Sequence, residues 1–137
     1  MSKDKKTLID HARAARELSV APYSRFLIGA AVRTTEGKIF KGCNIESSSY
    51  GLTVCAERVA IYKAISEGER EFDSIAIVAD TEPLTPPCGA CRQVIWDLCG
   101  DIEVVLGNLS GDTEHIKMRR LYSHAFDERF LIEPHRK

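Results

Sequence analysis

Ser74-Ile75-Ala76-Ile77-Val78-Ala79-Asp80 is the stretch that decides the architecture. Its five central residues are apolar without a break, the pattern of a strand buried on both faces. On its C-terminal side, Cys88 to Leu98 reads as a helix with Gly100 behind it, and Glu103 to Leu106 as the next strand. On its N-terminal side, Val54 to Glu67 reads as a helix, because Val54, Ala60, Ile61, Ala64 and Ile65 share a face and Gly68 suits the C-cap. Alternation of strand and helix after residue 54 predicts right-handed crossovers and parallel pairing.

Upstream, Phe26 to Thr34 and Lys38 to Cys43 read as two strands joined at Glu36-Gly37, an antiparallel hairpin. Lys5 to Leu18 carries apolar residues at Leu8, Ile9, Ala12, Ala15 and Leu18, one stripe of a helix that Pro22 closes off. Asn44 to Thr53 is polar and reads as a loop, whereas His115 to Leu121 fits either a strand or a short helix. The expected fold is α/β: a mixed five-stranded sheet between helices on both faces, three layers (α/β/α) in a single domain over residues 1–137.

Composition narrows the function. A chain of 137 residues is about one domain by length, and long enough to bury about two-thirds of its unfolded surface. With 19 basic and 20 acidic residues the formal net charge is -1, which argues against nucleic acid as a partner. The longest apolar stretch, Phe26 to Val32, is far short of the ~20 residues of a spanning helix, so no membrane partner is expected. The basic start, Met1 to Lys6, leads into no apolar segment of the kind a secretion signal needs. Five cysteines without such a signal point to a reducing compartment, the cytoplasm, with thiols free, catalytic or metal-bound.

The chemistry concentrates in Cys55-Ala56-Glu57 and, 31 residues after Glu57, in Pro87-Cys88-Gly89-Ala90-Cys91. Both pieces fall where a helix is expected to begin. The partial positive charge of a helix N-terminus favours thiolate, the form that binds metal. Three cysteine ligands leave a fourth position open, the arrangement of a catalytic zinc, and water there is acidified to a pKa of about 7. Glu57, two residues from Cys55, suits a proton shuttle, which hydrolysis of an amine needs because ammonia leaves protonated. Three thiolates around one Zn2+ leave net negative charge, and Arg58 or Arg92 is placed to donate to the sulfurs and offset it. Two other readings stay open on spacing alone: a structural four-cysteine zinc completed by Cys43 or Cys99, and a redox pair.

Cys-x-Glu followed some thirty residues later by Pro-Cys-x-x-Cys is the pattern of the zinc deaminases. With Ala21-Pro22-Tyr23-Ser24-Arg25-Phe26, Gly42-Cys43-Asn44-Ile45-Glu46, Cys55-Ala56-Glu57-Arg58 and Pro87-Cys88-Gly89-Ala90-Cys91-Arg92-Gln93, the chain resembles the small, three-cysteine, homotetrameric cytidine deaminases from about Ala21 to Leu106, and more loosely to Phe126. The resemblance implies one zinc per chain on Cys55, Cys88 and Cys91, with Glu57 as the catalytic proton shuttle. It implies a nucleoside substrate, cytidine or 2'-deoxycytidine. Asn44 and Glu46 would bond the ribose 3'-hydroxyl, Phe26 would pack on the base, and the Ala56 backbone would read the pyrimidine edge. Phe126 would close a neighbouring subunit's pocket. Two departures stand out: Ser47-Ser48-Ser49 follows Glu46 where the family has asparagine next, and Leu121-Tyr122-Ser123-His124-Ala125-Phe126 lacks the family's second leucine and proline. The altered tail keeps a second reading alive, a related aminohydrolase of a blasticidin S-like antibiotic or a modified cytosine nucleoside.

Overall fold

The computed structural model describes residues 7–131. Met1 to Lys6, where the first helix was expected to start and where the basic N-terminus lies, fall outside the described residues, as do residues 132–137. Helix α1 runs Leu8–Arg16. Thr7 fixes its start: the threonine hydroxyl accepts from the Asp10 amide and the Asp10 carboxylate accepts from the Thr7 amide, so two orphan donors are satisfied reciprocally. The helix stops two residues before Leu18, which is 75% exposed and not part of the buried stripe.

Strands β1 (Ile28–Thr34) and β2 (Ile39–Cys43) form the expected antiparallel hairpin, turning at Gly37 with φ 93°. Helix α2 spans Ala56–Ser66, strand β3 Phe72–Ala79, helix α3 Gly89–Cys99 and strand β4 Glu103–Gly107. Val54 lies ahead of α2, in a bridge to Ile45, and does not belong to the helix face assigned to it from the sequence. Within 44–53 the chain makes one short 3-10 turn at Tyr50–Leu52. The undecided segment is both things in succession, strand β5 at Thr113–Lys117 and helix α4 at Met118–Leu121.

The sheet order is β2-β1-β3-β4-β5. Only β3 and β4, joined through α3, pair in parallel; every other neighbouring pair is antiparallel. The expectation of parallel pairing after residue 54 therefore fails at β5. Asn108 is the physical reason. Its side-chain oxygen accepts from the amides of Ser110 and Asp112, bending the chain tightly enough to return as a hairpin rather than through a helix.

Both faces of β3 are covered, as its apolar run requires. Ala76 and Val78 pack with Ala12 of α1, Ala31 and Val105; Ile75 and Ile77 pack with Ala60, Ile61, Ile95 and Val104 under α2 and α3. Each fully buried isoleucine contributes roughly 1.5–3 kcal/mol of hydrophobic stabilisation.

Two features of this arrangement build the site. β1 is antiparallel to both β2 and β3, so β2 and β3 run in the same direction. The helices that follow them, α2 and α3, consequently begin at the same end of the sheet, where α/β folds place their ligands. α2 also lies very close to the hairpin: a Cβ on Gly42 would stand 2.5 Å from the Ala60 amide nitrogen, a contact only glycine permits.

Candidate active site

Cys55 is the N-cap of α2 and Cys88 the N-cap of α3; neither side chain is spent on capping its helix. Cys91 sits in the first turn of α3 and is fully buried. The three sulfurs all lie within 4.8 Å of one another, with Cys55 Sγ and Cys88 Sγ 3.9 Å apart. Tetrahedral zinc with Zn–S bonds of about 2.3 Å requires sulfurs about 3.8 Å apart. A disulfide requires about 2.05 Å, and all five cysteines are free. Cys43 and Cys99 stand outside the cluster. The donor set thus fits a three-thiolate zinc with an open fourth position, and neither Cys43 nor Cys99 supplies a fourth sulfur.

The electrostatics match. The Cys55 thiol is pulled down to about 5, first by a hydrogen bond from Cys91 and then by the Arg58 guanidinium. Cys91 moves the opposite way for the same reason: its proton is held in the bond to Cys55. Arg58 Nη2 donates to Cys55 Sγ at 3.5 Å, and that partner holds the guanidinium more firmly in its charged form. Of the two arginines singled out, Arg92 does not reach the sulfurs. Its Nε donates to the Pro87 carbonyl at 2.8 Å and its Nη1 to the Leu121 carbonyl at 2.6 Å, because the guanidinium forms a bridge between two loops.

Glu57 is 3% exposed, and its Oε1 is buried without a hydrogen-bond partner. A polar atom buried in that way carries a cost unless a ligand completes it. Burial, reinforced by the Cys55 thiolate, pushes the carboxyl up to about 7, where it gives and takes a proton with equal ease at neutral pH. The sign for stability follows. A carboxyl whose pKa is raised from 4.5 by folding binds its proton more tightly when folded, so the metal-free protein loses stability as pH rises from about 4.5 to about 7. We expect this one group to cost on the order of 3 kcal/mol at pH 8 relative to pH 4. Cys55, shifted downward, contributes with the opposite sign. Urea denaturation of metal-free wild type and Glu57→Gln at several pH values isolates the Glu57 contribution: the difference between the two should grow across that window and stay flat above it.

The other expected residues have partners of their own. Ala56 is fully buried at the first position of α2. The Asn44 carboxamide is bound to the backbone at both ends, accepting from the Ile28 amide at 2.9 Å and donating to the Phe26 carbonyl at 2.7 Å. The resemblance implies a ligand role and the residue type alone a turn; here the side chain fixes the entry to β1, with one N–H and one lone pair to spare. The Glu46 carboxylate accepts from the amides of Tyr23 and Ser24 and from the Ser24 hydroxyl, which holds it below the usual carboxylate range. Ser24 was quoted in the motif without a role, and a serine two residues before Phe26 was the available signal. Glu46, Tyr23, Ser24, Tyr50 and Thr53 line a cavity of about 430 Å³. The rings of Tyr23 and Tyr50 meet edge to face at its mouth. Phe26 is 38% exposed and Phe126 is 52% exposed, the latter stacked on Phe130 at 5.8 Å.

Comparison with known proteins agrees with this chemistry. Residues 2–108 match the family described as the cytidine and deoxycytidylate deaminase zinc-binding region. A cytidine deaminase of Halalkalibacterium halodurans is 52% identical over 124 residues, covering 90% of this chain and 94% of that protein. The crystal structure of cytidine deaminase from Burkholderia pseudomallei superposes with a TM-score of 0.85 at 48% identity, covering 87% of this chain and 96% of that one. A blasticidin-S deaminase of Bacillus cereus is more distant, 37% identical over 87 residues that cover 58% of this chain and 62% of that protein.

Proposed function

The chain belongs to the cytidine and deoxycytidylate deaminase family, and from that premise we infer that it catalyses the zinc-dependent hydrolysis of cytidine and 2'-deoxycytidine to uridine and 2'-deoxyuridine, a step of pyrimidine salvage. The observation that carries the reading is the convergence of three sulfurs beside a buried carboxylate with an unpartnered oxygen. Cys55, Cys88 and Cys91 would hold the zinc, which supplies an acidified water as the nucleophile for C4 of the cytosine ring. Glu57 takes the proton of that nucleophile and delivers it to N3. It then carries a second proton to the amine, which departs as ammonia, so that one water is consumed for each ammonia released. Arg58 offsets the negative charge of the three sulfurs by donating to Cys55. The Ala56 backbone reads the pyrimidine edge. Glu46 and the spare bonds of Asn44 take the ribose 3'-hydroxyl, and Phe26 packs on the base.

Plain cytidine is the favoured substrate over a blasticidin S-like antibiotic, because the identity to cytidine deaminases is both higher and more extensive. Parallel assays with cytidine and blasticidin S test that choice: we expect the larger kcat/KM with cytidine, and the reverse order would transfer the assignment to the antibiotic.

We also propose a homotetramer in which Phe126 reaches a neighbour's pocket. Its support is the set of large side chains left in solvent, among them Tyr50 at 75%, Leu52 at 70% and Phe126 itself. Light scattering should return about four times the 15.3 kDa chain mass, and a monomer at micromolar concentration would overturn the assembly. The five free thiols favour a reducing compartment, the cytoplasm. No helix among the described residues is long and apolar enough to cross a membrane.

A further inference from the structure

The segment after α4 is fastened to α3 at three successive points. Arg92 donates to the Leu121 carbonyl while also holding the Pro87 carbonyl, which directly precedes Cys88. The Gln93 carboxamide accepts from the Tyr122 hydroxyl and donates to the Phe126 carbonyl at 2.8 Å, spanning both ends of the five-residue stretch. Trp96 Nε1 donates to the Asp127 carboxylate at 2.9 Å. That carboxylate also accepts from Arg129 and caps the turn carrying Phe130, the ring stacked on Phe126. Between these points Ala125 is buried and His124 takes a left-handed backbone with φ 55°, so the chain turns sharply and leaves Phe126 pointing outward, half in solvent. The family match ends at residue 108, so the fastening joins three residues inside the matched region, Arg92, Gln93 and Trp96, to a stretch beyond it. Tyr122 stands in the part of the tail where this chain departs from the family pattern.

We propose that Gln93 and Tyr122 are positioning residues for substrate affinity: together they fix the height and direction at which Phe126 is presented. The proposal rests on the reading of Phe126 as a pocket-closing residue. A hydroxyl–carboxamide bond and a carboxamide–carbonyl bond through one side chain determine both ends of the turn. Loss of either lets the aromatic ring swing without touching the cysteines or Glu57. The expected signature is a change in KM with kcat preserved, since ground-state and transition-state binding lose the same contact.

The experiment uses the zinc-loaded enzyme and four variants. Phe126→Ala tests the underlying reading. Tyr122→Phe removes only the hydroxyl donor. Gln93→Glu keeps an acceptor for Tyr122 but can donate neither to the Phe126 carbonyl nor to the Asp97 carboxylate, which the native amide also reaches at 3.1 Å, and Gln93→Leu loses all three bonds. We expect Tyr122→Phe and Gln93→Glu each to raise KM for cytidine about 3- to 10-fold, the worth of one positioned hydrogen bond. Gln93→Leu should be no worse than the two combined, with kcat, zinc content and Tm unchanged throughout. If Phe126→Ala raises KM while the Tyr122 and Gln93 variants do not, the positioning proposal is wrong and the pocket-closing reading stands. If Phe126→Ala leaves KM unchanged, the pocket-closing reading itself fails. A joint fall of Tm, kcat and zinc content in Tyr122→Phe would mark a purely structural tie and also overturn the proposal.

Discussion

Replacing Glu57 with glutamine lowers kcat on cytidine by about 10²–10⁴-fold, the range that a positioned acid–base group supplies, while one zinc per chain stays bound. Glutamine has the same shape and fits the same buried site, and no cysteine is altered, so the metal centre should persist. What disappears is the proton. A carboxyl whose burial favours its protonated form can accept from the nucleophile and donate to the ring within one turnover; an amide can do neither. KM should change little or fall, because removing a buried ionisable group relieves a cost paid in the ground state. Steady-state kinetics with metal analysis on the same preparation checks both halves. Loss of zinc together with kcat would instead place Glu57 among the ligands.

Replacing Cys91 with alanine removes zinc and activity together. Cys91 is the fully buried thiol of the three, and the other two, one exposed, leave an incomplete clip. Zinc measured by elemental analysis should fall from one per chain towards none, and turnover should fall in proportion. Exhaustive chelation of the wild type should give the same inactive state and, unlike the substitution, be reversed by added zinc. The sheet should survive in both cases, since its core is assembled from aliphatic side chains rather than from the metal site. Cys99→Ala is the control: that thiol is half-buried, its pKa pushed up to about 12 by desolvation, and it stands outside the cluster, so zinc and kcat should hold. Together the two substitutions separate the parts of the site, one losing the proton path and keeping the metal, the other losing the metal.

The elements most clearly written in the sequence are those where one physical requirement dominates. The apolar run at 75–79 has no polar residue to place in water, so it must be covered on both sides, and it is. The two helix starts at Cys55 and Cys88 follow from residue spacing, and their shared end of the sheet follows from topology. Residues 115–121 were ambiguous because the chain changes structure in the middle of them, at Lys117 and Met118, where β5 gives way to α4. The return of β5 was set by one asparagine side chain rather than by hydrophobic pattern. Within the site, Cys55 and Glu57 form one short motif and Cys88 and Cys91 another, each legible from its own local spacing, whereas Arg58 and Arg92 were alternatives until the structure placed Arg58 on Cys55. Arg92 and Gln93 were not legible in this way. Their partners, Leu121, Tyr122 and Phe126, lie about 30 residues away, and nothing local distinguishes a guanidinium facing sulfur from one facing two carbonyls. Asn44 shows a further limit: a side chain that suits a ligand can also be held by the backbone that shapes the pocket.

The most direct test mixes the zinc-loaded protein with cytidine and follows the near-ultraviolet absorbance of the base together with the ammonia released. Rapid loss of absorbance is expected, with one ammonia formed per cytidine consumed. Unchanged absorbance and no ammonia, from protein carrying one zinc per chain, would contradict the proposed deamination.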